Sequence, residues 1–188
     1  MLKEYESFLQ KKDHADDMFG FEPLWLPDSL FPFQTHLMNW MIRKGRGALF
    51  LDCGMGKSAC ELSFADNIVR KENRQVLLLT PIAVGPQMIR EGVKFGIECK
   101  QTRKGKVYKG INVTNYEQLH HYDPKDFAAI IGDESGCVKS FDTRTKKEVL
   151  EFASQVKYRL LATATPSPND YMELGNSSEI LGVMGRTQ

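Results

Sequence analysis

The sequence predicts an α/β fold three layers deep, with a mostly parallel sheet held between two layers of helices. Three observations carry that reading. Apolar runs and helical stretches alternate about five times along the chain, the order that a strand–helix–strand winding must show. The apolar runs are continuous, as in Gln75-Val76-Leu77-Leu78-Leu79-Thr80, which is what a strand covered on both faces requires. A tight glycine-containing turn, Asp52-Cys53-Gly54-Met55-Gly56, joins one such run to a helix.

With 188 residues the chain is long enough for one full core and is expected to be a single domain. The net charge of +1 excludes a global pull toward nucleic acid or membrane, so any nucleic-acid surface must be local. No apolar run approaches the roughly 20 residues of a membrane span, and Met1-Leu2-Lys3-Glu4-Tyr5-Glu6 has no leader-peptide pattern, so a cytoplasmic, membrane-free protein is expected. Cys53, Cys60, Cys99 and Cys137 are scattered without metal-ligand spacing and read as small buried thiols.

Residues 1–28 carry seven acidic side chains against three basic ones and form an N-terminal extension. Leu2, Tyr5, Phe8 and Leu9 fall at helical spacing, then Gly20, Pro23 and Pro27 interrupt regular structure, and Trp25 and Leu26 are expected to pack on the core. From Leu30 a helix begins, with Pro32 tolerated in its first turn and Phe33, Leu37 and Trp40 on one face. Near its start stands Gln34, whose amide has both a donor and an acceptor. Such a side chain either reads an adenine edge or is a solvated Gln on an amphipathic helix.

Ala48-Leu49-Phe50-Leu51 reads as a buried strand, and Ala59, Leu62, Phe64, Ala65 and Ile68 as the apolar stripe of the following helix. Between them Gly54, Met55, Gly56, Lys57 and Ser58 have the composition of a phosphate cradle. The glycines let backbone N–H groups crowd inward, the helix N-terminus adds partial positive charge, Lys57 adds a full one, and Ser58 offers a hydroxyl to Mg²⁺. The strict phosphate-loop pattern would place glycine where Leu51 stands.

Strand Gln75–Thr80 ends at Pro81, a helix follows over 84–95, and Lys100 to Lys109 gathers five basic residues and no acidic one around Gly105. That stretch is either a hairpin touching a phosphate backbone or a solvated basic turn. A short strand at Ile111–Tyr116 leads to a helical turn in which adjacent His120 and His121 cannot share a ligand. Phe127-Ala128-Ala129-Ile130-Ile131-Gly132 is an apolar strand that delivers Asp133 and Glu134 at its C-terminal end, where open parallel sheets bind ligands. Beside a phosphate loop, Asp133 would hold Mg²⁺ and Glu134 would orient or deprotonate water. Tyr158 to Ala162 is the last strand, running into Thr163-Ala164-Thr165-Pro166, with a short helix over 169–175.

In order and spacing, residues 29–188 resemble the first RecA-like lobe of superfamily-two helicases with DEAD/DEAH-type motifs, in the Swi/Snf-like branch of phages and bacteria. Gln34 looks like the Q-motif and Leu51 to Ser58 like motif I, where a non-glycine residue at the place of Leu51 is usual. Thr80-Pro81 resembles motif Ia, Thr114-Asn115-Tyr116-Glu117 motif Ib, Asp133-Glu134-Ser135 motif II and Thr163 to Pro166 motif III. Gly136 departs from the DEAD and DEAH tetrads. The resemblance implies a RecA-like P-loop NTPase lobe of a DNA-stimulated ATPase, helicase or translocase acting on DNA, a duplex by this likeness. By it, Gln34 recognises adenine, Lys57 and Ser58 hold the phosphates of ATP and Mg²⁺, and Asp133 and Glu134 serve hydrolysis. Thr163 and Thr165 couple hydrolysis to motion, and Thr80 and Asn115 lie near the nucleic acid. It also implies a second RecA-like lobe, which these residues do not contain, supplied in cis or in trans.

Two alternatives stay open at this level. One is a different P-loop motor, such as a packaging ATPase. The other is a docking module that keeps the fold without catalysis, supported only by the basic turn and the acidic extension.

Overall fold

The computed structural model describes residues 18–134, 143–165 and 172–182. Six strands form one sheet: β1 (Arg46–Phe50), β2 (Gln75–Thr80), β3 (Cys99–Gln101), β4 (Ile111–Asn115), β5 (Phe127–Asp133) and β6 (Tyr158–Thr163). Their order is β1-β6-β5-β2-β4-β3, and every neighbouring pair is parallel. Among the described residues the sheet is therefore wholly parallel, and its helices lie on both faces.

Helices α1 (Pro32–Lys44), α2 (Lys57–Glu72) and α3 (Gly85–Phe95) cover one face, burying Met38, Met41, Leu62, Phe64, Ile68 and Met88 against Val76, Leu78, Ile131 and Leu160. The other face takes α4 (Thr143–Gln155), α5 (Met172–Leu181) and the 3₁₀ turn Tyr116–His121, with Val149, Phe152 and Leu119 against Leu77, Leu79, Ile130 and Leu161. Alternation explains the unbroken apolar runs. Val76 and Leu78 enter one layer, Leu77 and Leu79 the other, because successive strand side chains point to opposite faces. Each such fully buried leucine contributes roughly 1.5–3 kcal/mol relative to exposure. No helix among the described residues is long and apolar enough to cross a membrane.

Because all strands run the same way, their C-terminal ends share one edge. Register brings Phe50 beside Thr163, Asp133 beside Ala162 and Thr80 beside Asn115. Parallel strands need long crossovers, so residues far apart in sequence end on this edge together.

Several local expectations shift. The buried stripe of α1 is Gln34, Met38, Met41 and Ile42, whereas Phe33 and Trp40 are 42% and 50% exposed. The aromatic residues suggested the wrong face; the methionines one position on fill the interior. In β1 only Leu49 is fully buried and Phe50 is half-exposed, because β1 is an edge strand paired on one side only. The basic stretch 100–109 is not a hairpin, since β3 pairs with β4 in parallel and the segment between is a returning loop. Cys60 and Cys99 are buried as expected, but Cys53 is exposed in the turn after β1. The last helix, Met172–Leu181, runs past the expected end at residue 175. The helix expected near Leu2 to Leu9, and Ser135, Gly136, Cys137 and Pro166, lie outside the described residues.

Residues 18–28 run along α1 and α2. The N–H groups of Phe19, Gly20 and Phe21 donate to the carbonyls of Lys44, Arg43 and Ile42 at 3.1, 3.0 and 3.2 Å. Buried Asn67 of α2 clamps the next turn: its Oδ1 accepts from the Leu24 N–H at 2.8 Å and its Nδ2 donates to the Trp25 carbonyl at 2.6 Å. Leu26 packs against the core, while Trp25 stays partly exposed, with Arg70 over its ring at 5.0 Å.

Candidate functional site

Between β1 and α2 the chain turns through residues 51–56. The Met55 N–H donates to the Asp52 carbonyl at 3.2 Å, and Gly54 and Gly56 take φ of 82° and 80°. The first bond of the helix runs from the Cys60 N–H to the Gly56 carbonyl at 3.2 Å. The amides of Lys57, Ser58 and Ala59 thus precede the helical ladder, at the positive end of the α2 dipole. A concave row of N–H groups there suits an anion.

Gln34 braces this turn. It is only 4% exposed. Its Nε2 donates to the Met55 carbonyl at 2.9 Å and its Oε1 accepts from the Phe31 N–H at 2.9 Å, tying the start of α1 to the loop. The solvated alternative is excluded by this burial. One amide hydrogen and one acceptor lone pair remain for another partner.

Opposite the turn, β5 brings in Asp133, which is buried, and Glu134, which takes φ of 50°. Lys57 Nζ lies 3.7 Å from Glu134 Oε2 and donates to the Leu51 carbonyl at 3.4 Å. The Thr163 hydroxyl donates to Glu134 Oε1 at 3.3 Å and accepts from the Thr165 N–H at 3.1 Å. The Tyr116 hydroxyl donates to the Asp133 carbonyl at 2.8 Å, binding β5 to the end of β4. Burial pushes the Asp133 carboxyl above the usual range, opposed by a hydrogen bond with the Glu61 carboxyl and by Lys57, while Glu134 adds to the shift.

These groups line one cavity of about 680 Å³, whose walls include Phe31, Gln34, Lys57, Ser58, Asp133 and Glu134. Residues from four separate parts of the chain thus face a common space. Of the predicted site residues, Met55, Thr163 and Thr165 do not line it, Thr163 meeting it only through Glu134, and Thr80 and Asn115 stand elsewhere. The last two border a second, smaller cleft with Gln101, Thr102 and Arg103, at the ends of β2, β3 and β4. Thr80 is buried, and Asn115 Oδ1 accepts from the Gln118 N–H at 3.1 Å, capping the 3₁₀ turn. Exposed Gln101 and Arg103 beside them were hidden in the basic stretch.

Sequence reasoning also missed Glu61. It is 0% exposed, as a carboxylate neither of its oxygens has a donor to accept from, and burial followed by neighbouring Asp133 pushes its pKa well up. A signal was present. Glu61 precedes Phe64, Ala65 and Ile68 by three, four and seven positions, which places a carboxylate on the buried stripe of α2.

The fold belongs to a recognisable class, the all-parallel α/β/α architecture of RecA-like helicase and ATPase cores. Among solved structures, the chain is similar to the Sulfolobus solfataricus SWI2/SNF2 ATPase core domain, at 24% identity and a TM-score of 0.71, over 90% of this chain and 38% of that one. The same archaeal core in complex with dsDNA gives 23% identity and a TM-score of 0.68, over 87% of this chain and 38% of that one. The UvsW helicase of bacteriophage T4 gives 13% identity and a TM-score of 0.68, over 93% of this chain and 66% of that one. The chain therefore spans 38% of the length of the archaeal cores. No family model and no curated protein matches the sequence.

Proposed function

We propose that residues 29–188 are the ATP-binding lobe of a DNA-dependent ATPase of the helicase or translocase kind, with residues 1–28 as an extension. The observation that carries this reading is the shared cavity, where Lys57 and Ser58 at the start of α2 face Asp133 and Glu134 at the end of β5. Electropositive amides and an ammonium on one wall with carboxylates on the other suit a polyphosphate and its cation. The cavity volume of about 680 Å³ falls within the range of small-molecule sites.

In this reading the amides of residues 57–59 and the Lys57 ammonium cradle the phosphates, while Gln34 and the Phe31 ring offer hydrogen bonds and an apolar wall to the adenine. The donors fit Mg²⁺, a hard cation that takes oxygen ligands: the Ser58 hydroxyl and the Asp133 carboxylate would hold it. Mg²⁺ held there would neutralise phosphate charge. Glu134 orients a water and accepts its proton, released from Lys57 once phosphate takes that ammonium. Thr163 positions Glu134, and with Thr165 it passes the state of the site to β6. Duplex DNA is the proposed partner, met at the strand ends near Thr80 and Asn115, where Arg103 can reach a phosphate. A second RecA-like lobe, in cis or in trans, would add the arginine that accelerates phosphoryl transfer by about 10³–10⁵.

Calorimetry with Mg-ADP tests the site. The 188-residue chain should bind, and Lys57→Ala should weaken binding by about 10- to 100-fold, the loss of one charged hydrogen bond. No binding by the parent chain would overturn the reading and favour the docking module. Turnover by this lobe alone should stay far below about 1 s⁻¹, with or without DNA.

A further inference from the structure

The loop that joins β3 to β4 carries charge to which the nucleotide site gives no task. Lys100, Arg103, Lys104, Lys106 and Lys109 are all exposed, and no acidic residue stands between Glu98 and Glu117. The whole chain has a net charge of +1, so the rest of it is net acidic. Lys100 meets Glu98 at 3.0 Å. Among the described residues the other four cations have no carboxylate partner. Unpaired cations crowded on one loop repel one another, and a counter-charge brought from outside relieves that repulsion.

The loop is fastened to the fold at both ends. Buried Thr102 donates its N–H to the Val113 carbonyl at 2.8 Å and its hydroxyl to the Lys106 carbonyl. The Lys104 N–H donates to Gln118 Oε1 at 3.1 Å. The Lys106 N–H closes a tight turn onto the Arg103 carbonyl at 3.2 Å, with Lys104 and Gly105 at φ of 52° and 72°. At the far end fully buried Asn112 accepts from the Tyr108 N–H at 2.7 Å and donates to the Tyr108 carbonyl at 2.8 Å. The Tyr108 ring gathers the ammonium groups of Lys106 and Lys100, at 4.8 and 5.8 Å from its centre. A surface fixed before binding loses little freedom when it binds.

Position points to the partner. Gln101 lines both the small cleft of Thr80, Arg103 and Asn115 and an open groove of about 540 Å³ that Ile89, Lys100 and Tyr108 also line. The two are thus continuous around β3, the edge strand of the sheet. Duplex DNA carries one negative charge per roughly 1.7 Å of its axis, dense enough for each cation on so short a loop to meet a phosphate.

We propose that Lys100, Lys104, Lys106 and Lys109 form an arm that binds the phosphate backbone of a DNA duplex, carrying it from the strand-end cleft along the edge of the sheet. This rests on the DNA reading above and extends the contact surface beyond Thr80, Arg103 and Asn115. Phosphate contacts hold a duplex in place without reading its sequence, so the arm adds affinity and no base preference.

The test is fluorescence anisotropy of the 188-residue chain with a labelled duplex, over a salt series from about 50 to about 200 mM. The combined variant Lys104→Gln, Lys106→Gln, Lys109→Gln should reduce the slope of log affinity against log salt by about 2 to 3, since each phosphate contact contributes about 0.9. A second variant, Lys71→Gln, Lys125→Gln, Lys147→Gln, removes the same charge from exposed positions elsewhere and should keep the parent slope within about 0.5. Both should melt with the parent, because the substituted side chains lie on the surface. A parent-like slope in the first variant, or an equal fall in both, would overturn the proposal. Binding of a polyglutamate peptide as tight as that of the duplex, and lost in the first variant, would also overturn it and assign the arm to an acidic protein. If the parent chain binds no duplex, the DNA reading itself fails, a result distinct from parent-like binding by the arm variant.

Discussion

Substituting Gly56 by alanine probes the contact on which the geometry of the loop depends. Gly56 holds φ of 80°, and a Cβ there would fall within 3.0 Å of Gln34 Nε2, which real Cβ atoms essentially never do. A non-glycine residue in the left-handed region costs about 1–2 kcal/mol. The methyl group must also push Gln34 aside, and because Gln34 is buried and donates to the Met55 carbonyl at 2.9 Å, the move breaks that bond. A lost hydrogen bond of this kind adds about 1 kcal/mol. Together the destabilisation should be about 2–3 kcal/mol, and with a urea m-value of about 2 kcal/mol/M the unfolding midpoint should drop by roughly 1–1.5 M. The pairing with Gln34→Ala makes the mechanism testable. Once Gln34 is truncated there is nothing to displace, so the double variant should cost about 1 kcal/mol less than the two singles combined. A Gly56→Ala cost below about 0.5 kcal/mol, or additivity within about 0.3 kcal/mol, would refute the bracing role of Gln34.

Two further outcomes follow from contacts away from the phosphates. Asn67→Ala removes the clamp on Leu24 and Trp25, and the lost bonds at about 1 kcal/mol each should lower the melting temperature by roughly 4–8 °C and expose residues 18–28 to proteolysis; an unchanged cleavage pattern would show that Asn67 is not the tether. Alkylation at pH 8 with peptide mapping should label exposed Cys53 in the native protein but not Cys60 or Cys99, whose thiols burial pushes up to about 12 and about 11, leaving them protonated at that pH. Since Cys53 lines the main cavity, Mg-ADP should slow its labelling, and labelling at the same rate with and without nucleotide would place the ligand elsewhere.

The residues themselves made much of this legible. A continuous run such as Val76 to Leu79 announces a strand covered on both faces, and two glycines before Lys57 announce a turn that only a helix start completes. These signals are local: each depends on spacing along a few residues and on the geometry of one element. The face of α1 was not legible, because Phe33 and Trp40 satisfy helical periodicity as well as Met38 and Met41 do. Only packing against α2 and the sheet selects between them. The basic stretch misled for a similar reason, since a chain returning to pair in parallel has the same composition as one that doubles back.

By itself, then, the sequence determined the α/β class, the order of the elements and the chemical types available at the strand ends, because these follow from periodicity and from what each side chain can donate or accept. Tertiary structure alone decided which of those groups meet. Parallel pairing of β1 with β6 and of β6 with β5 brings Thr163, Asp133 and Glu134 to the side of Lys57, across more than a hundred residues of chain between Lys57 and Thr163. The same packing turned Gln34 inward onto the loop and enclosed Glu61. Burial and approach are properties of the assembled layers, and no spacing within one segment encodes them.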